Sequence, residues 1–597
     1  MDSVQPHAMD TAPAAPDRAP LDVPPAGSAA PDGSPTGSEA RHSLPPGGPT
    51  TDSGALRASG SPRWVRDPAK AFTRAALSAS LLGTRFSFFT TPVAARVWFW
   101  LAPALTALIG GILRFVRLGQ PESLVFDETY YVKDAYSYLQ SGYERNWAEK
   151  ANDLFNQGIF TSIESTAEYV VHPPVGKWMI AFGMWLFGPD SAFGWRFTAA
   201  LVGTLSIFVL AMIAQRMFRS TILGAIAGLL FAVDGHAIVQ SRTSLLDIFV
   251  MFFALLAFGA VLLDRDDGRR RLAARLSALA GANGVVPAKE LLYGPWLGIR
   301  WWRLAAGVAL GLCIGTKWSG LFFLAAFGLM SVIWDMNARR IAGIKYWIIG
   351  AVWKDGIVAF ASMVPVAAVT YLATWTGWFL SKDAYDRNWA ASNPSSTWGW
   401  IPDSLRSLWH YHFTAYNFHT GLGSDHPYKA NAWSWFVMGR PTSFFVKNYE
   451  NGQPGCAADK CTAAVTSLGN PLIWWGGSLA ILFLIGVWVF RRDWRAGAIL
   501  AGWAAGFLPW LLYPLRTIFF FYAIAYEPFM ILAITMVLGM MMGRIGDPPW
   551  RRQQGALFVG LFLVVAIGLS AFFYPLWAAE IIPQEFWRQH MWMPGWI

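Results

Sequence analysis

Long apolar runs alternate along this chain with short polar connections, most of them basic. The runs fall near 96–116, 194–216, 221–238, 245–263, 304–316, 319–334, 356–376, 471–490, 496–513, 518–541 and 555–577. A helix needs about 20 apolar residues to cross a bilayer, so the pattern predicts about eleven spans. The stretch 173–188 is apolar enough to be a twelfth. Counting it would put the later basic loops on the wrong face, so it reads as an interfacial or re-entrant helix. Two long polar loops remain, 119–193 and 377–470. Within the first, Tyr131, Ala135, Tyr138, Leu139 and Gly142 recur at helical spacing, which predicts an amphipathic helix along the membrane surface beginning at Asp127.

This divides the chain into four parts. Residues 1–65 are rich in Pro, Ala, Gly and Ser and are expected to be a disordered cytoplasmic tail without a cleavable signal. Residues 66–376 form an N-terminal region of about seven spans, 377–470 an external loop, and 471–597 a four-span C-terminal region.

Composition agrees with a polytopic membrane protein: of 597 residues, 54% are hydrophobic and 14% charged. The net charge of +10 comes from Lys and Arg spread between spans. That is the demand of insertion topology and not a nucleic-acid surface. Basic connections at 216–219, 269–303, 339–354, 491–495 and 544–552 are expected on the cytoplasmic side. Both long loops and the C-terminus then lie outside. Cys313 reads as a buried thiol, and Cys456 with Cys461 as a short disulfide or two free thiols.

The external side gathers the ionisable residues: Asp127, Glu128, His172, Lys177, Arg196, Arg242, Asp247, Lys317, His426 beside Tyr428, and Arg516. Such groups at membrane depth face a cavity, pair with one another or do work. Outward carboxylates mixed with cations suit a reaction on a lipid-linked phosphate. Fixed cations stabilise the charge growing on the departing phosphate, and a carboxylate deprotonates an acceptor hydroxyl. Asp127 is the expected base; Arg196, Lys317 and Arg516 are the expected phosphate clamp. Plainer roles fit the same residues. Asp127 suits a helix N-cap with Glu128 in the first turn, Arg196 and Arg516 suit interfacial anchors, and Arg242 with Asp247 suits a structural ion pair. His172, ahead of two prolines, suits positioning more than proton transfer.

These motifs, in order, resemble the protein O-mannosyltransferases. Phe126-Asp127-Glu128-Thr129-Tyr130-Tyr131, His172-Pro173-Pro174-Val175-Gly176-Lys177, Gly194-Trp195-Arg196, Arg242 through Asp247, Thr316-Lys317-Trp318, His426-Pro427-Tyr428, Arg440-Pro441 and Arg516 through Phe529 carry the resemblance. It implies an all-α membrane protein of the GT-C glycosyltransferase fold. It implies transfer of mannose from a polyprenyl- or dolichyl-phosphate donor to Ser or Thr of proteins, with inversion, independent of metal or cofactor. By the same resemblance Asp127 is the catalytic base and Glu128 its partner. Arg196, Lys317 and Arg516 contact the donor phosphate, while His172, Lys177, Arg242, Asp247, His426 and Tyr428 support the site. The loop 377–470 is too short for the eukaryotic β-trefoil insertion, and Tyr130-Tyr131 stands where eukaryotic members place His. Both features resemble the bacterial, particularly actinobacterial, branch. That branch implies a polyprenyl donor, a plasma-membrane location, and acceptors met at the secretion translocon. Another GT-C sugar transferase with a non-protein acceptor is the alternative. A transporter fits less well, because no repeat with paired broken helices is visible.

Overall fold

The computed structural model describes residues 72–82, 92–281, 284–544 and 546–597. The expected tail at 1–65 lies outside them. The described residues form one compact unit. Its longer helices are α1 (Arg74–Leu82), α2 (Pro92–Phe115), α3 (Glu128–Ser141), α4 (Val175–Phe187), α5 (Ala192–Phe218), α6 (Thr221–Val233), α7 (Gly235–Arg242) and α8 (Asp247–Ala280). They continue with α9 (Trp301–Ile314), α10 (Gly320–Ile341), α11 (Ile357–Thr374), α12 (Asp403–Gly421), α13 (Pro471–Arg491), α14 (Trp494–Phe507), α15 (Glu527–Met541) and α16 (Pro549–Trp577). Among the described residues, eight helices are long and apolar enough to cross a membrane, or nine if the bent pair α6–α7 counts as one span. The difference from the expected eleven lies at α9 and α15. Both are helices where spans were predicted, but with 14 and 15 residues they fall short of a full crossing. The helix expected within 173–188 is α4, with one buried face and an exposed row at Trp178, Phe182 and Trp185.

The chain is mainly helical, as expected, and carries two small sheets besides. β1 (Arg145–Trp147) pairs with β2 (Ile163–Ala167), and β3 (Thr442–Glu450), β4 (Lys460–Ser467) and β5 (Ile582–Pro583) form a three-stranded antiparallel sheet. Cys456 and Cys461 close the β3–β4 hairpin with a disulfide, and Cys313 is free and buried.

Two polar networks brace the bundle. Arg300 and Arg303 share Asp264 and Asp335, and Arg339 holds Asp355, all buried. This ties the middle of α8 to the start of α9, the C-terminal half of α10 and the turn ahead of α11; several arginines counted as loop charges are therefore interior. At the bend between α6 and α7, Asp234 accepts from the backbone of His236, Ala237 and Asn470 and from the Trp474 indole. The broken helix is thereby satisfied inside the membrane-spanning region.

Candidate active site

Phe126 sets the geometry. Its φ of 47° is left-handed, uncommon for a bulky residue and costly unless its surroundings hold it. An aromatic nest holds it: the ring stacks on Phe444 at 5.0 Å and meets Phe519, Phe521 and His426 edge-on. His426 is itself fixed, its Nδ1 accepting from the Tyr428 backbone N–H, and Arg440 lies over the Tyr428 ring. His426 and Tyr428 are thus wall material behind the loop.

The turn at Phe126 sends the adjacent carboxylates to different places. Glu128 points inward and is fully buried. Its carboxylate accepts two bonds from Arg196, at 2.8 Å each, and one each from the backbone N–H of Val125 and Ser244. The remaining Arg196 N–H groups donate to the carbonyls of Leu118, Pro121 and Ser123. The expectation that Arg196 grips phosphate is therefore corrected: it is wholly buried and has no donor left to offer. Nor do Glu128 and Asp127 act as a pair, because Glu128 anchors the loop to α5 and the start of α8.

Asp127 precedes α3 at the N-cap position, but its side chain makes no capping bond. It is half-buried and lies close to the Tyr131 hydroxyl and within the field of Lys317 and Asp247. Burial pushes its pKa up to about 6; Lys317 opposes that rise and Asp247 adds to it. Lys317 Nζ donates to Asp247 Oδ2 at 2.7 Å and sits 5.0 Å from the Tyr522 ring centre. The pairing expected between Arg242 and Asp247 is replaced by this one. Arg242 instead donates to the carbonyls of Leu113, Arg114, Val116 and Arg117, closing the C-terminal end of α2. Helix α3 has the two faces of the expected amphipathic helix: Leu139 is exposed, while Val132, Asp134 and Ala135 are buried against the protein.

Beyond Lys317 opens a cavity of about 220 Å³, lined by His172, Lys317, Trp318, His419, Trp510 and Arg516 among others. Arg516 Nε donates to the His419 carbonyl at 3.0 Å, and its guanidinium lies against Trp510, leaving Nη1 buried without a partner. A buried guanidinium N–H without an acceptor is costly and marks a place for an anion. His172 and His419 stack at 5.1 Å. Burial holds His172 well below the ordinary histidine range and His419 at about 4, with Lys317 and Arg516 pushing both the same way, so both rings are neutral near pH 7. Lys177 is buried under this loop, ion-paired with Glu144 and donating to the His172 carbonyl at 2.9 Å.

Of the expected residues, Asp127, Asp247, Lys317, His172 and Arg516 converge. Arg196, Glu128, Lys177, Arg242, His426 and Tyr428 form the frame around them. His419 and His412 were not anticipated. They lie seven residues apart on one face of α12, with His412 stacked on Trp318 and bonded to the Tyr371 hydroxyl. That spacing was the available signal.

Residues 104–282 match the family model "Dolichyl-phosphate-mannose-protein mannosyltransferase", and 404–596 match "C-terminal four TMM region of protein-O-mannosyltransferase". The chain is 38% identical over 510 residues to a polyprenol-phosphate-mannose–protein mannosyltransferase of Mycolicibacterium smegmatis, covering 83% of this chain and 93% of that protein. It is 34% identical over 506 residues to the one from Corynebacterium glutamicum, covering 83% and 92%. Among solved structures, the Saccharomyces cerevisiae Pmt1-Pmt2 complex bound to the sugar donor has a similar fold. The TM-score is 0.62 at 15% identity, covering 88% of this chain and 94% of that one.

Proposed function

The chain belongs to the protein O-mannosyltransferase family, and on that premise we propose that it transfers mannose from a polyprenyl-phosphate donor to Ser or Thr hydroxyls of proteins, with inversion. The observation that carries this reading is that Asp127 lies in the field of Lys317, and Lys317 lines a cavity together with Arg516, whose Nη1 is buried without a partner. Asp127 accepts the acceptor hydroxyl's proton as the new C–O bond forms at the anomeric carbon. The bond from that carbon to the phosphate oxygen breaks on the opposite face. Lys317 and Arg516 receive the charge left on the polyprenyl phosphate. One in-line displacement inverts the anomeric centre.

Metal-independent transfer is part of the same reading. The cation between Asp247 and Asp127 is the Lys317 ammonium, which supplies there the charge a divalent ion would supply. Full activity in chelator supports this; recovery only on adding Mn²⁺ or Mg²⁺ overturns it.

The same proposal places Asp127 on the outer face of the plasma membrane, where secreted acceptors emerge at the translocon. The Cys456–Cys461 disulfide supports that side, because such bonds persist in oxidising compartments. The decisive experiment incubates membranes with labelled polyprenyl-phosphate mannose and a Ser/Thr-rich peptide. Label that appears on the peptide as α-mannose and is released by base supports the reading. Label that passes only into lipid or free sugar overturns it.

A further inference from the structure

The three-stranded sheet beside the candidate site has one finished side and one unfinished side. β4 is flanked by β3 and β5 and backed by α7 and α16. β3 has a neighbour on one side only, and among the described residues no hydrogen bond joins its outer edge between Thr442 and Tyr449 to another segment. Val446 is 49% exposed, and Lys447, Asn448 and Glu450 are exposed as well. The exposed part of this edge, Val446 to Glu450, is a template for another extended chain, and proteins ordinarily cover or shorten such edges.

The register shows where this edge leads. Ser443 pairs with Thr466 and Phe445 with Val465, so Phe444 is the extra residue of a bulge. Bulges re-aim a side chain and gather next to active sites. Here Phe444 is turned inward, 6% exposed, onto the ring of Phe126, the residue immediately before Asp127. The strand is therefore anchored at Phe444 against the loop that carries the base, and its exposed part begins two residues on, at Val446. Seven residues, Phe444 to Glu450, run on from it for about 24 Å at strand spacing.

We propose that the outer edge of β3 is the docking strand for the acceptor polypeptide, which adds to the sheet in extended form and presents its Ser or Thr hydroxyl at Asp127. This rests on the protein-acceptor reading above. Main-chain pairing suits an enzyme whose acceptors differ in sequence, because backbone N–H and C=O groups are common to all of them. It also makes unfolded, extended chain the substrate form. Folded domains, with their strands already paired, dock poorly.

The test uses the full-length enzyme in membranes with labelled donor and one Ser-containing peptide, made unmodified and in two backbone N-methylated forms. The methyl groups occupy alternate residues beside the Ser in one form and the intervening residues in the other. Strand addition has a period of two, so one methylated register raises the acceptor KM about tenfold, the loss expected from about two hydrogen bonds, and the other leaves it near the unmodified value. The donor KM is the same for all three peptides. In parallel, Val446→p-benzoylphenylalanine crosslinks to the peptide on irradiation. Equal acceptor KM for all three peptides, or equal loss in both registers, overturns the proposal, as does crosslinking of Val446 only to a second copy of the enzyme. Transfer to the unmodified peptide is the internal control. If it occurs while methylation has no effect, edge docking alone fails; if no peptide is mannosylated, the protein-acceptor reading fails.

Discussion

Glu128 and Arg196 close on one another through two parallel bonds of 2.8 Å, with neither side chain exposed. Breaking a buried pair of this kind costs about 3–5 kcal/mol, because the survivor is left charged and unpaired. Arg196→Ala and Glu128→Ala therefore lower the melting temperature and folded yield in detergent, and the folded remainder keeps its donor KM. A raised donor KM at unchanged stability would return Arg196 to the phosphate.

Asp127 supplies a pH signature. A base works only when deprotonated, so kcat/KM rises with pH at unit slope and levels off above about 6. His172 and His419 do not contribute this limb, since both are neutral there. Asp127→Asn abolishes transfer and retains donor binding. The raised value also has a stability sign: the folded state holds this proton more tightly than the unfolded chain. Stability contributed by the neutral carboxyl is lost as pH rises from about 4 through 6, and Asp127→Asn melts higher than the parent at pH 7. A rate flat from pH 5 to 8 would exclude Asp127 as the base.

Lys317 and Asp247 move that limb in opposite directions. Lys317 favours the charged Asp127 and Asp247 disfavours it. Lys317→Met moves the acidic limb to higher pH, and Asp247→Asn moves it lower, read from pH–rate profiles normalised to folded enzyme. Shifts of the same sign in both variants would separate this ion pair from the base.

Arg516→Ala raises the donor KM about tenfold or more, the scale of losing a charge-assisted bond to phosphate. Arg516→Lys recovers part of it. Titration with polyprenyl phosphate alone, monitored by quenching of Trp fluorescence, gives the same ranking if the contact is to phosphate. Equal affinity in all three forms would remove Arg516 from the clamp.

The helical framework was legible because apolar length and polar breaks are local properties. Helix α3 and the short helix in 173–188 follow from them. What was not legible depended on which partner each charge finds across the fold. Arg242 and Asp247 are five residues apart, yet the bend at Thr243 and Ser244 takes Arg242 to α2 and leaves Asp247 to Lys317, 70 residues away. Adjacent Asp127 and Glu128 look interchangeable until the dihedral at Phe126 is known. The β3–β4 hairpin escaped notice because its polar loop lies inside a long connection with no alternation strong enough to mark both strands.

The left-handed turn at Phe126 also constrains how this enzyme can change. One backbone torsion hands one acid to the solvent side and its neighbour to the interior, so a shift of either acid drags the other. Retargeting the enzyme to new sugars or acceptors, in nature or in the laboratory, is thus channelled away from this tripeptide and toward the other residues of the cavity, such as Trp510, Tyr513 and Tyr416. Variants selected for altered preference should accumulate there while Phe126, Asp127 and Glu128 stay frozen.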